Sequence, residues 1–258
     1  MSVLFTVEDH VARVTIDRPD RMNAMDSATQ ARLAEIWDEI EATSEIRCAA
    51  LTGRGDRAFS AGADLKDDSG MSGVDYWKDI SATGFGRIAL RGTLTTPVIA
   101  RINGLALGGG LEMAMGCDIL IAADTARFGL PEAKVGRLPL DGGMVTLPRL
   151  IPRNIAMGMM MTGRMVSAQD MAGYGLVNTV VPAADLDAEV DRWIADILDS
   201  APLSVKAIKA TARETAHMSV HEAYQHETPA LIAALQSEDA DEGVAAFREK
   251  RVPVWRGK

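Results

Sequence analysis

Cysteine, histidine and aromatic side chains are scarce in this sequence: 258 residues contain two Cys, four His and 5% Phe, Trp and Tyr. Cys48 and Cys117 lie in apolar surroundings without C-x-x-C spacing, and His10, His217, His221 and His226 form no zinc set with them. The sequence thus offers neither a metal centre nor a disulfide framework, and the thiols read as buried, reduced and structural. His217 and His221 stand four apart on a predicted helix, but without an H-E-x-x-H frame they read as part of a solvated face.

Positive charge is also in deficit. Lys and Arg number 27 against 36 Asp and Glu, a net charge of −9, and no basic stripe stands out, so a nucleic-acid partner held by counterion release is not expected. Any anionic ligand has to be held locally. No apolar run reaches membrane-spanning length, and the first residues lack a basic n-region and a long apolar h-region. The expectation is a soluble, cytoplasmic protein without a membrane partner.

What is present is an ordinary globular balance, 47% hydrophobic and 24% charged, with β-rich runs alternating with amphipathic helical stretches. "VARVTI" (11 to 16), "CAALT" (48 to 52), "PVIARI" (97 to 102) and "DILIAA" (118 to 123) are predicted strands. Between the first two, Leu33, Ile36, Trp37 and Ile40 recur at helical spacing, with Ser27 and Gln30 set as a capping box. Later, Leu186, Val190, Trp193, Ile194 and Ile197 follow the same period, and Pro202 suits the first turn of another helix. This divides the chain into an α/β body over 1 to 200 and a helical portion over 201 to 258, a tail of the kind that docks on a partner subunit.

Three Gly-bearing segments could carry chemistry. In "FSAGADLK" (59 to 66) small residues let a ligand approach the backbone, although alone the stretch reads as a turn ending in an Asp helix cap. "NGLALGGGLEMAMGCD" (103 to 118) sets three glycines before a helical run near Leu111, where free N–H groups and the helix dipole favour negative charge. G-x-G-x-x-G is absent and no Walker lysine follows, so an oxyanion hole suits the segment better than a phosphate cradle. "GLPEAKVG" (129 to 136) puts Glu132 directly after Pro131 at a predicted helix start, where an acid also simply complements the dipole. Together, Glu112 and Glu132 could bracket a water beside that hole for acid and base work.

These segments, with "RPDRMNAMD" near the start and "SEDADEGVAAFREKR" near the end, resemble the enoyl-CoA hydratase/isomerase (crotonase) superfamily over essentially the whole chain. The resemblance implies an α/β spiral of ββα repeats with a helical C-terminal trimerisation region, and a homotrimer or dimer of trimers. It implies an acyl-CoA thioester substrate, with coenzyme A as part of that substrate and no further cofactor or metal. By motif, the Ala63 and Gly109 amides would hold the thioester oxygen, and Glu112 and Glu132 would add water across the C2–C3 double bond. A helix start favours ionised Glu132, so desolvation or Glu112 has to outweigh the dipole if Glu132 is to act as an acid.

The resemblance further places Met22, Ala24, Ala61, Asp64 and Leu65 along the CoA path and Phe247 and Lys250 as a C-terminal CoA contact. Leu140 departs from the Gly or Asp that relatives carry near the catalytic water. From "LPEAKVG" to "PVWRGK" the chain is particularly similar to the carnitinyl-CoA dehydratases, also two-glutamate hydro-lyases. Tyr76, Trp77, Phe85 and Ile88 are candidates for acyl-pocket walls or, equally, for core packing. An isomerase or hydrolase on the same scaffold, and a non-catalytic binding protein, are the competing readings.

Overall fold

The computed structural model describes residues 2–67, 72–78 and 82–258 and places the strands in two sheets. β1 (Val3–Glu8) and β2 (Val11–Ile16) form an antiparallel hairpin in which Glu8 pairs with Val11. Asp9 and His10, left between them, both take positive φ, the backbone of a two-residue turn whose twist matches the strands. Helix α1 (Ser27–Ala42) then carries the chain across to β3 (Cys48–Gly53), which runs parallel to β2.

From β3 onward one unit repeats: a strand in the first sheet, a short strand in the second, then a helical segment. β3 leads to β4 (Ala58–Ser60) and α2 (Gly73–Lys78), and β5 (Val98–Ile102) to β6 (Leu105–Leu107) and α3 (Gly109–Met115). β7 (Ile119–Ala123) leads to β8 (Arg127–Gly129), a 3-10 turn at Glu132–Val135, and α4 (Gly143–Leu150). β3, β5 and β7 are parallel neighbours in the first sheet, and β4, β6 and β8 in the second. Each unit therefore stacks on the one before, giving the spiral of ββα repeats that the motifs imply.

Next come α5 (Arg153–Thr162), β9 (Val166–Ser167), α6 (Ala168–Gly173) and β10 (Thr179–Val181). β9 closes the second sheet against β8, and β10 ends the first beside β7. After β10 the described chain is helical, with α7 (Leu186–Leu198), α8 (Pro202–Glu214), α9 (Val220–Gln225), α10 (Pro229–Leu235) and α11 (Glu238–Glu249). Among the described residues no helix is long and apolar enough to cross a membrane.

The middle strands of the first sheet, β3, β5 and β7, are buried on both faces, and alternate residues go to opposite sides. Ala49, Leu51, Val98 and Ala100 join Leu33, Ile36, Trp37 and Ile40 of α1 in one core cluster. Cys48, Ala50 and Ile99 join Leu186, Val190 and Ile194 of α7 in another. Burial on both faces is why these strands read as unbroken apolar runs in the sequence.

One local expectation is corrected. The cap of α1 is Asp26, not Ser27: its Oδ1 accepts the Thr29 amide at 2.8 Å and the Thr29 hydroxyl at 2.6 Å. Ser27 already lies inside the helix, and its amide and hydroxyl both donate to Asp67. Among the described residues Asp64 caps no helix either; its Oδ1 accepts from the Lys66 amide at 3.1 Å, closing a local turn.

Candidate active site

The second sheet assembles the site. β4, β6 and β8 are parallel, with Ser60 beside Ala106 and Leu107 beside Gly129, so the segments leaving them emerge at one end. Ala63 lies three residues past β4, Gly109 two past β6 and Glu132 three past β8. The carboxyl end of parallel strands is where α/β proteins gather binding loops. Glu112 arrives on α3, one turn beyond Gly109.

Among the described residues two backbone amides are left free to face a ligand here. The Met25 amide donates to the Gly62 carbonyl at 2.8 Å and the Asp64 amide to the Met25 carbonyl at 2.9 Å, a parallel bridge centred on Ala63. In such a bridge the middle residue's own N–H points to the opposite side. The Gly109 amide stands first in α3, where a helix leaves its N–H groups without an internal acceptor.

Two glycines make this approach possible. Gly62 has φ +88°, and a Cβ there would lie 2.9 Å from the Leu107 carbonyl oxygen and 3.1 Å from the Gly109 nitrogen. Gly108 has φ +56°, and a Cβ there would lie 3.0 Å from Glu132 Oε1. Both combine left-handed backbone with close contact, which only glycine tolerates without strain. The 61–63 and 108–109 segments are thus neighbours, as a two-donor oxyanion hole needs, with the Glu132 carboxylate lying over Gly108.

Both glutamates hold their protons more tightly than a free carboxylate. Glu112 is only 3% exposed, and burial pushes its pKa up to about 8. The charges of Asp141 and Glu132 add to the rise, while the amides of Gly143, at 2.8 Å from Oε1, and Asp141 oppose it. Glu132 is also raised, chiefly by desolvation, against a smaller contribution from its own amide at the turn start. Desolvation therefore outweighs the helix start. Among the described residues the buried Glu132 Oε2 has no hydrogen-bond partner, an acceptor left for a ligand or a water.

A third acid that the motifs did not single out lies beside them. Asp141 is 5% exposed; its Oδ2 accepts the Tyr76 hydroxyl at 2.6 Å, and burial raises its pKa. An aspartate before a Gly pair has ordinary turn chemistry, and burial together with the Tyr76 bond distinguishes this one. Of the proposed pocket walls, Tyr76 reaches the cluster and Phe85 packs its ring over Gly109, whereas Ile88 is core and Trp77 is exposed. Met71 and Asp79, at the ends of that variable segment, lie outside the described residues.

The residues expected along the CoA path divide into two groups. The Ala61 amide donates to the Met22 carbonyl at 3.0 Å, and Arg18 reaches the Ala24 carbonyl, Asp26 and Asp64, so Met22, Ala24, Ala61 and Asp64 form one connected edge of the site. Leu65 follows them, 81% exposed. Phe247 and Lys250 lie at the end of α11, Phe247 86% exposed and Lys250 with φ +56°. Among the described residues no hydrogen bond or ion pair links that pair to the glutamates. Leu140 is half-buried and directly precedes Asp141. Among the described residues no group of three or more His, Cys, Asp or Glu is placed to hold a metal ion.

The enoyl-CoA hydratase/isomerase family model matches residues 6–258. A carnitinyl-CoA dehydratase from Shigella flexneri is 38% identical over 261 residues, covering 100% of this chain and 99% of the relative, and one from Citrobacter koseri is 39% identical with the same coverage. The crystal structure of an enoyl-CoA hydratase from Bacillus anthracis superposes with a TM-score of 0.93 at 34% identity, covering 100% of both chains. That of an enoyl-CoA hydratase from Mycobacterium tuberculosis H37Rv gives 0.90 at 32% identity, covering 100% of this chain and 99% of the other. With two amides and two proton-holding glutamates at the ends of one set of parallel strands, and with these relatives matching from end to end, the chain belongs to the enoyl-CoA hydratase/isomerase family.

Proposed function

We propose that the protein is a hydro-lyase that reversibly adds water in syn fashion across the C2–C3 double bond of a 2-enoyl-CoA thioester. The observation that carries this reading is the pair Glu112, buried, and Glu132, half-buried, both with raised pKa, beside the Ala63 and Gly109 amides. Two acids that cannot readily ionise together hold a proton between them, and hydration needs one base and one acid. In addition, Glu112 takes the proton of the attacking water and Glu132 supplies one to C2; in elimination the roles reverse. The charge that develops on the thioester oxygen is held by the two amides.

Met22, Ala24, Ala61, Asp64 and Leu65 line the CoA path in this proposal, Leu140 adjoins the catalytic water, and Phe247 and Lys250 reach CoA from the C-terminal helix. The protein would work as a homotrimer or dimer of trimers in the cytoplasm, with no cofactor beyond the CoA of the substrate. The helical region after about residue 200 would make the subunit contacts.

The test is incubation with crotonyl-CoA while following the conjugated thioester absorbance. Its loss is expected; no change with any 2-enoyl-CoA would count against hydration. The full-length likeness to carnitinyl-CoA dehydratases favours a second reading, elimination of water from carnitinyl-CoA, which would appear as a rise in the same absorbance. Retention of both glutamates argues against an isomerase or hydrolase.

A further inference from the structure

Asp141 sits where three parts of the site meet. From α2, 65 residues earlier in the chain, Tyr76 donates its hydroxyl to Asp141 Oδ2 at 2.6 Å. The Phe85 amide also faces the Asp141 carboxylate and favours its charged form. Phe85 is the residue whose ring covers Gly109, and its turn is pinned from α1 by the Trp37 indole, which donates to the Gly86 carbonyl at 2.9 Å. Two residues after Asp141, the Gly143 amide donates to Glu112 Oε1 at 2.8 Å.

We propose that Asp141 is a positioning residue: one buried carboxylate that draws together α2, the turn covering Gly109 and the turn that holds Glu112, and that presents a negative charge to Glu112. This rests on the reading that Glu112 and Glu132 are the reacting acids. Asp141 was given no role from the sequence, and neither the water nor the thioester has to touch it.

Two separable effects follow. The clamp fixes where Glu112 is held, through the 141–143 backbone. The charge sets how tightly Glu112 keeps its proton, since like charges in a dry site disfavour ionisation of both. The groups facing Glu112 are Asp141, Glu132 and the Tyr76 phenol, and Arg87 acts on Tyr76 and Asp141 as the local cation. Burial raises the pKa of Tyr76, which stays the neutral donor that Asp141 requires.

The experiment is a carboxyl ¹³C titration of the full-length, glutamate-labelled protein, with the Glu112 signal assigned by its loss in Glu112→Gln. In Asp141→Asn, which can still accept the Tyr76 hydroxyl, the Glu112 midpoint should fall by about half a pH unit or more. The rising limb of kcat/KM, where ionised Glu112 serves as base, should move down with it. An unmoved midpoint in the folded variant overturns the proposal; if Asp141→Asn does not fold, Asp141→Ser is titrated instead. Tyr76→Phe keeps the charge and removes the clamp, so kcat should fall about tenfold with the midpoint little changed. Wild-type kcat and KM in Tyr76→Phe overturn the clamp. The titration needs no substrate, so it decides the proposal even if the protein hydrates no 2-enoyl-CoA.

Discussion

Glu112 Oε1 and the Gly143 amide lie 2.8 Å apart, so one carboxylate oxygen of Glu112 is held by main chain and its orientation depends on the 139–143 turn. Glu112→Gln retains a group that can accept this bond but cannot take a proton. Turnover of crotonyl-CoA should fall about 10²–10⁴-fold, as it should for Glu132→Gln, with CoA-product binding by calorimetry close to wild type. Turnover within threefold of wild type in either variant removes the two-glutamate mechanism.

Glu112 also makes stability depend on pH. Its folded pKa, about 8, lies above the unfolded value of 4.5, so the folded state binds the proton more tightly. Its contribution is fully present below about pH 4.5 and is lost as pH rises through about 8. Thermal melts across that range should show the wild type losing Tm relative to Glu112→Gln; a constant difference between the two contradicts the assignment.

Gly108→Ala forces a side chain into left-handed backbone and directs its Cβ at Glu132 Oε1. The strain is about 1–2 kcal/mol, and displacement of Glu132 adds a loss of kcat. Chemical denaturation and steady-state kinetics on one preparation should record both. A variant with wild-type stability and kcat would mean that Gly108 is not needed for the approach.

Lys209 on α8 donates from Nζ to Asp118 Oδ2 at 2.6 Å and to the Thr96 carbonyl at 2.7 Å, and burial lowers its pKa. Lys209→Met keeps the apolar stem but leaves Asp118 without its closest cation, with Arg213 at 3.8 Å. A loss of roughly 1–3 kcal/mol in urea denaturation is expected, with KM for the enoyl-CoA unchanged. An unchanged urea midpoint would show that this link does not secure α8 to the body.

Four of the six strands of the first sheet were legible from their apolar runs: "VARVTI", "CAALT", "PVIARI" and "DILIAA" appear as β2, β3, β5 and β7 within a residue at each end, whereas the more exposed β1 and the short β10 went unread. β4, β6 and β8 escaped notice, since three residues are too few to show a period of two. They nevertheless deliver the site. The glycines and the two glutamates stood out because a flexible backbone and an acid are costly inside a core. Asp141 did not, because before a Gly pair an aspartate is an ordinary turn residue, and what marks it is a tyrosine 65 positions away. The α1 cap was misplaced by one residue for a related reason: Ser27 has the right chemistry, but Asp67 engages it across 40 residues of chain.

The β4–β6–β8 arrangement separates what is fixed from what can be exchanged. In the proposed mechanism the donors for the thioester oxygen are peptide groups set by strand register, so substitutions at 112, 132 or 141 alter the proton chemistry without dismantling them. A damaged variant of this protein should therefore lose water addition before it loses the power to polarise a thioester. That remaining power would be measurable as exchange of the C2 proton, and it makes the scaffold a suitable starting point for directed evolution of other enolate reactions.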